Sequence, residues 1–223
     1  MSKKRKNSNY KGTAPVNVRN ADPDVRKNRI IWISCLVVAV VLLGAIIAAF
    51  VISSIPKISY VEMDFGDYGK IVIEVDGEAA PETAKNFIDL VDDGFYDGLT
   101  IFRAQANFVI QGGKDASANL TGIKGEFASN GYDNPISHTR GVISMARTND
   151  PNSATSQFFI TLHDSATYSL DGGYAAFGHV VEGMDVVDAI AEALLQCDSD
   201  SYGFVSDDDA ITIVSAKVLD NYK

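Results

Sequence analysis

Residues 30–55 read IIWISCLVVAVVLLGAIIAAFVISSI, a run with no charge, no proline and one glycine. At about 1.5 Å per residue, a helix of this length reaches past a hydrocarbon core of about 30 Å. Helices of soluble cores rarely hold more than about 18 apolar residues in a row. A cleaved export signal is the main rival, but its apolar region spans about 7–15 residues and ends in a small-x-small site. This run is longer and closes on Ala48, Ala49, Phe50 and Val51, with no clean site. A lipid-attached cysteine would end such a run, whereas Cys35 lies near its start, behind Trp32. The run therefore predicts one transmembrane helix, and it leaves residues 56–223 to form a single domain of ordinary size.

Charge divides at the start of this run. Residues 1–29 carry nine Lys or Arg against two acids, and the remainder carries 10 basic and 27 acidic residues. Just after the apolar run stands only Lys57, so the positive-inside rule keeps residues 1–29 cytoplasmic and sends residues 56–223 across. The basic tail is polar and lacks apolar periodicity, which predicts disorder. An acidic body lacks the clustered Lys and Arg that phosphate backbones require, so nucleic acid is excluded as a partner. Cys35 lies in the apolar run and Cys197 in a late polar stretch, so they predict neither a disulfide nor a cysteine metal site.

Beyond residue 56 the period of the apolar residues changes. Val61, Met63 and Phe65, then Ile71, Ile73 and Val75, alternate around Gly66-Asp67-Tyr68-Gly69, which predicts a hairpin. Pro81 opens a helix with Ala84, Phe87, Ile88 and Val91 on one face, and Gly94 ends it. Short strands are predicted over 108–111, 141–145, 158–162, 176–180 and 211–219, with a second helix over Met184–Leu195. Many short strands with two helices predict a mainly β domain built on a closed antiparallel barrel. Periodicity names no function.

Three clusters go further: Phe102-Arg103 with Phe108 and Gln111-Gly112-Gly113; Gly141 to Ala146 with Ser156-Gln157-Phe158-Phe159-Ile160; and Leu170-Asp171-Gly172 with Phe177-Gly178. Together with Pro81-Glu82-Thr83-Ala84-Lys85-Asn86-Phe87 they resemble, in order and spacing, the cyclophilin family over about residues 58–220. The resemblance implies a closed eight-stranded barrel capped by two helices. It implies cis-trans isomerisation of X-Pro bonds in proline-containing polypeptides, with no cofactor and no metal. It makes Arg103 the catalytic residue, and Phe108, Met145, Phe159 and Leu170 the pocket for the proline ring. Gln111 and Ala146 would hold the peptide backbone, and Gln157 and Tyr174 would line the groove. The oligomeric state is open.

These residue types suit the chemistry. Rotation about a peptide bond meets a barrier of about 18–20 kcal/mol, because resonance gives the bond double-bond character. The twisted state returns a lone pair to the prolyl nitrogen. A fixed donor aimed at it binds that state better than either ground state, and arginine supplies rigid, permanently charged donors. The chain departs from the common pattern at Phe102, where a histidine is usual; at Arg147, where an asparagine is usual; and at Ser169, where many eukaryotic members carry tryptophan. Tyr174 stands where those members have histidine. One extra residue lies in the loop 148–155. The changes at Phe102, Arg147 and Ser169 motivate a rival reading, a module that binds proline segments of a membrane partner with little required turnover. His138, His163 and His179 share no ligand motif and read as structural or surface residues. The stretch from Asp198 to Asp209 partly echoes a calcium loop but lacks its final Glu, and is read as a solvated acidic loop.

Overall fold

The computed structural model describes residues 31–44, 57–220 and 222. The chain divides into two units, Met1–Phe50 and Val51–Lys223. In the first, residues 31–44 form helix α1 with every side chain exposed. Among the described residues no helix is long and apolar enough to cross a membrane. Residue 30 and residues 45–55 of the expected span, and the whole of the expected tail 1–29, lie outside the described residues.

The second unit opens with the predicted hairpin. Strand β1 (Ile58–Asp64) pairs antiparallel with β2 (Lys70–Asp76), with Val61 opposite Ile73 and Met63 opposite Ile71. All four side chains enter the core, as period-2 alternation requires. Helix α2 (Pro81–Asp92) follows and buries Ala84, Phe87, Leu90 and Val91, while Ile88 packs at the core margin. Its N-cap residue, Ala80, offers no side-chain acceptor. The carboxylate of Glu126 takes that place from 44 residues away. It accepts the backbone N–H of Glu82 at 3.0 Å, and both the N–H and the hydroxyl of Thr83 at 2.8 and 2.7 Å. A buried anion at a helix N-terminus satisfies otherwise orphaned donors and meets the favourable end of the helix dipole.

The remaining strands are β3 (Thr100–Gln105), β4 (Val109–Gly112), β5 (Val142–Met145), β6 (Phe158–Thr161), β7 (Ala176–Glu182), β8 (Ile211–Thr212) and β9 (Ser215–Val218). The short helix α3 (Thr167–Leu170) precedes β7, and α4 (Met184–Leu195) follows it over the predicted residues. Neither β3 nor α3 is among the predicted elements. All pairings are antiparallel, in the order β8-β3-β4-β6-β5-β7-β2-β1-β9.

The architecture corrects the expectation of a closed eight-stranded barrel: the described residues form a curled sheet of nine strands. The predicted strand 211–219 breaks at Ile213-Val214, and its halves serve opposite edges of the sheet. Ile211–Thr212 pairs with β3, whereas Ser215–Val218 pairs with β1. At the break, the Ile213 N–H donates to the Leu99 carbonyl at 2.7 Å and the Val214 N–H to the Asp64 carbonyl at 2.8 Å. The chain itself therefore joins the two edges, where an uninterrupted ladder was expected. Inside the curl, Phe87 packs against Tyr96, Phe158 and Phe177, with ring centroids 4.9–6.1 Å apart.

The Glu126 cap generates a stability prediction. Glu126→Gln keeps the shape but removes the charge, and hydrogen bonds to a charged group contribute about 1.5–3 kcal/mol. Unfolding by urea should show a loss in that range. An unchanged midpoint would show that the α2 N-terminus does not depend on this carboxylate.

Candidate active site

One register builds the site. Arg103 lies opposite Gln111 across β3 and β4, Gln111 lies opposite Phe159 across β4 and β6, and Phe159 lies opposite Ser144 across β6 and β5. Directly opposed residues share a face of a sheet, so this row presents its side chains together. Val109, two residues before Gln111, shares that face. Val109, Phe159, Ala166 and Leu170 form a second apolar cluster separate from the main core, with Phe108, Ala146 and Tyr174 packed against it. Above the cluster lies a cavity of about 280 Å³. Phe108, Val109, Phe159 and Leu170 supply its apolar lining, and Arg103, Gln111 and Arg147 its polar rim.

Arg103 is held on three sides. Its Nε donates to the Tyr202 carbonyl at 2.8 Å, one terminal nitrogen to Gln111 Oε1 at 2.8 Å, and the other to Gln105 Oε1 at 3.0 Å. Phe204 lies under the guanidinium, 5.2 Å from its carbon to the ring centroid, and stacks on Phe102 at 5.9 Å. Burial draws the Arg103 pKa below the usual value, against the pull of Tyr174 and Asp200. Arginine starts so high that it stays charged. Gln111 in turn donates from Nε2 to Gln157 Oε1 at 3.0 Å, which fixes its amide with the carbonyl toward Arg103.

Beneath Phe159 lies a polar chain that is buried at His138 and Ser144 and reaches solvent at Asp171. His138 is 1% exposed and stacks on the Phe159 ring at 5.9 Å. Its Nδ1 is 2.8 Å from Asp171 Oδ1, and its Nε2 is 3.0 Å from the Ser144 hydroxyl. Asp171 also accepts the His138 backbone N–H and the Ser137 hydroxyl. Burial lowers the His138 pKa, although Asp171 opposes this. Burial raises the Asp171 carboxyl, but its hydrogen bonds from Ser137 and His138 outweigh that and hold it low. A neutral imidazole donating from Nδ1 to a charged carboxylate, and accepting the Ser144 hydroxyl at Nε2, satisfies every group. With Ser144 fully buried, this chain supports the pocket floor and offers no nucleophile to solvent.

An anchored guanidinium beside an apolar slot fits the demands of prolyl isomerisation, and a family model decides the assignment: cyclophilin type peptidyl-prolyl cis-trans isomerase/CLD matches residues 60–218. The chain belongs to the cyclophilins. It is 44% identical over 162 residues to a peptidyl-prolyl cis-trans isomerase of Acinetobacter baylyi, covering 69% of this chain and 81% of that one. It is 41% identical over 130 residues to peptidyl-prolyl cis-trans isomerase B of Escherichia coli, covering 56% and 79%. A crystal structure of a Cryptosporidium parvum cyclophilin shares the fold at a TM-score of 0.61 and 24% identity, over 74% of this chain and 99% of that one. A second structure of that protein, in the presence of the dipeptide Ala-Pro, matches at 0.58 and 25% identity, over 73% and 99%. The chain is a peptidyl-prolyl cis-trans isomerase.

Of the residues this cyclophilin was expected to use, the fold brings Arg103, Phe108, Gln111, Ala146, Phe159, Leu170 and Tyr174 around one cavity. Gln157 sits behind Gln111 and braces it. Met145 stands apart from that cavity. It lies opposite Phe158, one residue out of phase with the Ser144–Phe159 row, and both side chains enter the main core. Val109 fills the place expected of it, and alternation back from Gln111 was the available signal. The loop after α4 supplies two groups the sequence reading missed, the Tyr202 carbonyl and the Phe204 ring. It is tied to β3 by Ala104 N–H to the Gly203 carbonyl at 3.0 Å and Val205 N–H to the Phe102 carbonyl at 3.0 Å. Gly203 has φ +82°, and a Cβ there would stand 2.1 Å from the Ala104 carbonyl oxygen. Asp200, in the stretch that echoes a calcium loop, accepts the N–H groups of Tyr202 and Phe204.

His138 sets a pH prediction. Its folded pKa lies below the ordinary 6.5, so the unfolded chain takes up a proton that the folded chain resists. The contribution is whole above about pH 6.5 and is lost as pH falls through the folded value, with a slope of at most about 1.4 kcal/mol per pH unit. Chemical denaturation at pH 7.5 and 5.5 should show this loss, and His138→Gln should flatten it. Equal pH slopes in parent and variant would mean that His138 is not the titrating group.

Proposed function

We propose that this cyclophilin acts on exported or cell-surface chains from a membrane tether at residues 30–55, with Arg103 as the donor that stabilises the twisted X-Pro bond. The observation that carries the catalytic part is the guanidinium held by three hydrogen bonds at the rim of an apolar slot. Phe108, Val109, Phe159 and Leu170 grip the proline ring. The preceding carbonyl then swings while the prolyl nitrogen, pyramidal and basic in the twisted state, accepts from Arg103. The donor is in place before the reaction, so it favours the transition state over both isomers at no reorganisation cost. Gln111 and Ala146 hold the peptide backbone. The Ala-Pro dipeptide present with the related parasite cyclophilin carries the ring that this slot is proposed to hold.

Support for the tether comes from the length of the apolar run and the nine basic residues before it. Uncatalysed X-Pro isomerisation takes tens to hundreds of seconds and can limit folding, so a catalyst at the exit side of a membrane shortens a slow step for emerging chains. Protease added to intact cells should digest residues 56–223 while the tail stays protected. Full protection of the domain, or its recovery mainly from the medium, would refute this topology.

Arg103→Ala in the full-length chain should lower turnover of a proline peptide about 10–100-fold, since a charge-assisted hydrogen bond contributes about 1.5–3 kcal/mol. Peptide affinity should hardly change. Arg103→Lys should recover little, because lysine keeps the charge and loses the planar fork. Phe159→Ala should weaken affinity as well as rate. Parent-like turnover by Arg103→Ala, read by NMR exchange between the cis and trans peptide, would rule out Arg103 as the donor.

A further inference from the structure

The acidic body of this chain leaves its active-site cations unpaired. Among the described residues, Lys57, Lys70, Lys85, Arg140 and Lys217 each lie within 4 Å of a carboxylate. The two arginines that rim the cavity, Arg103 and Arg147, form no such pair among the described residues, and no Asp or Glu lines the cavity. Asp200, whose field reaches Arg103, spends its Oδ1 on backbone N–H groups.

Arg147 is built into the rim. Its Nε donates to the Gly173 carbonyl at 2.9 Å and one terminal nitrogen to the Thr148 carbonyl at 2.8 Å. The guanidinium lies over two aromatic rings, 5.0 Å from the centroid of Phe127 and 4.8 Å from that of Tyr174. Backbone carbonyls and ring faces orient a cation without neutralising it. Among the described residues, no hydrogen bond occupies the second terminal nitrogen, Nη2. A half-buried, oriented, uncompensated guanidinium matches a carboxylate, which it can meet with charge-assisted hydrogen bonds.

We propose that Arg147 selects clients in which an acidic residue flanks the isomerising proline, its carboxylate pairing with Arg147 while the ring fills the slot. The proposal rests on the reading of that slot as the proline site. It gives the isomerase a preference set by charge at the rim, separate from the catalytic role given to Arg103. The surrounding acids repel an acidic client at long range, so the attraction is local and is screened by salt.

The test uses the full-length chain and two sets of three short peptides with Glu, Ala or Lys beside one proline, the substituted position before the proline in one set and after it in the other. NMR exchange gives kcat/KM, and chemical-shift titration gives affinity on the same samples. At low salt one Glu peptide should exceed its Ala counterpart by about two- to five-fold, with Lys below Ala, as expected for a partly exposed ion pair. Arg147→Gln should bring the Glu-to-Ala ratio toward one, Arg147→Glu should invert it, and Arg147→Lys should keep part of it. A ratio unchanged by Arg147→Gln, or no Glu preference in the parent in either set, would overturn the proposal. Affinity is measured independently, so a parent that binds with the Glu preference but does not isomerise would overturn the catalytic reading and leave the Arg147 assignment standing.

Discussion

The site depends on the pairing of β4 with β3 on one side and β6 on the other. That pairing places Arg103, Gln111 and Phe159 in one row. The side-chain period of a strand is two, so a slip of one residue in β4 would turn Gln111 into the core and bring Ile110 out. The register is held by what lies on each face. Ile110, Phe158 and Ile160 belong to the main core, and Val109 and Phe159 to the satellite cluster under the slot. Both faces of these strands are therefore committed, and no shifted register would serve both.

Support reaches the row from below and from beside it. Below, the Asp171–His138–Ser144 chain presents the flat face of an imidazole to Phe159 and satisfies its own polar groups internally. Beside it, the loop after α4 lays the Tyr202 carbonyl and the Phe204 ring against Arg103. That loop leads into Ile211–Val218, the stretch whose halves serve both edges of the sheet. The segment that closes the fold is thus continuous with the segment that orients the guanidinium. A change that loosens the edge pairing near Ile213 reaches the site along a short covalent path.

Much of the fold was legible in the sequence because its signals were local. The hairpin at 61–75 and the helices at 81–92 and 184–195 declare themselves within short windows, whereas Arg103, Gln111 and Phe159 are picked out only by the combined resemblance over about residues 58–220. The rest needed information that a window does not hold. Met145 has the right residue type for the slot and the wrong parity, which only the Met145–Phe158 pairing reveals. The single strand expected over 211–219 changes phase inside the run, with Ile211 and Ile213 buried and then Ala216, but which edge each half meets is a matter of pairing that the run itself does not state. Glu126 caps a helix through the N–H of Glu82, 44 residues earlier, across a distance that capping motifs do not span. The loop 198–209 reads as acidic and solvated by composition, and most of its acids are exposed. Its contribution to the site comes from a backbone carbonyl and one ring, and composition records neither.

Arg103 and Arg147 show how one side chain serves two ends according to what surrounds it. Arg103 is anchored through Nε and through one N–H of each terminal nitrogen, so the guanidinium plane is fixed while an N–H on each terminal nitrogen stays available. A donor of that kind does not follow a moving ligand, and in the mechanism proposed above that rigidity would let it discriminate the twisted bond from the planar one. Arg147 is anchored along one edge and lies over two rings, so its free end tolerates a carboxylate in more than one pose. Tolerance suits recognition, where the ligand's chemistry matters more than its angle. Had a carboxylate of the fold paired with either arginine, its Coulomb attraction would have drawn the cation away from the cavity, and in a domain with 27 acids among residues 30–223 such partners are abundant. Anchoring by carbonyls, amide oxygens and aromatic faces is the arrangement that holds both side chains in place and keeps their charge for the ligand.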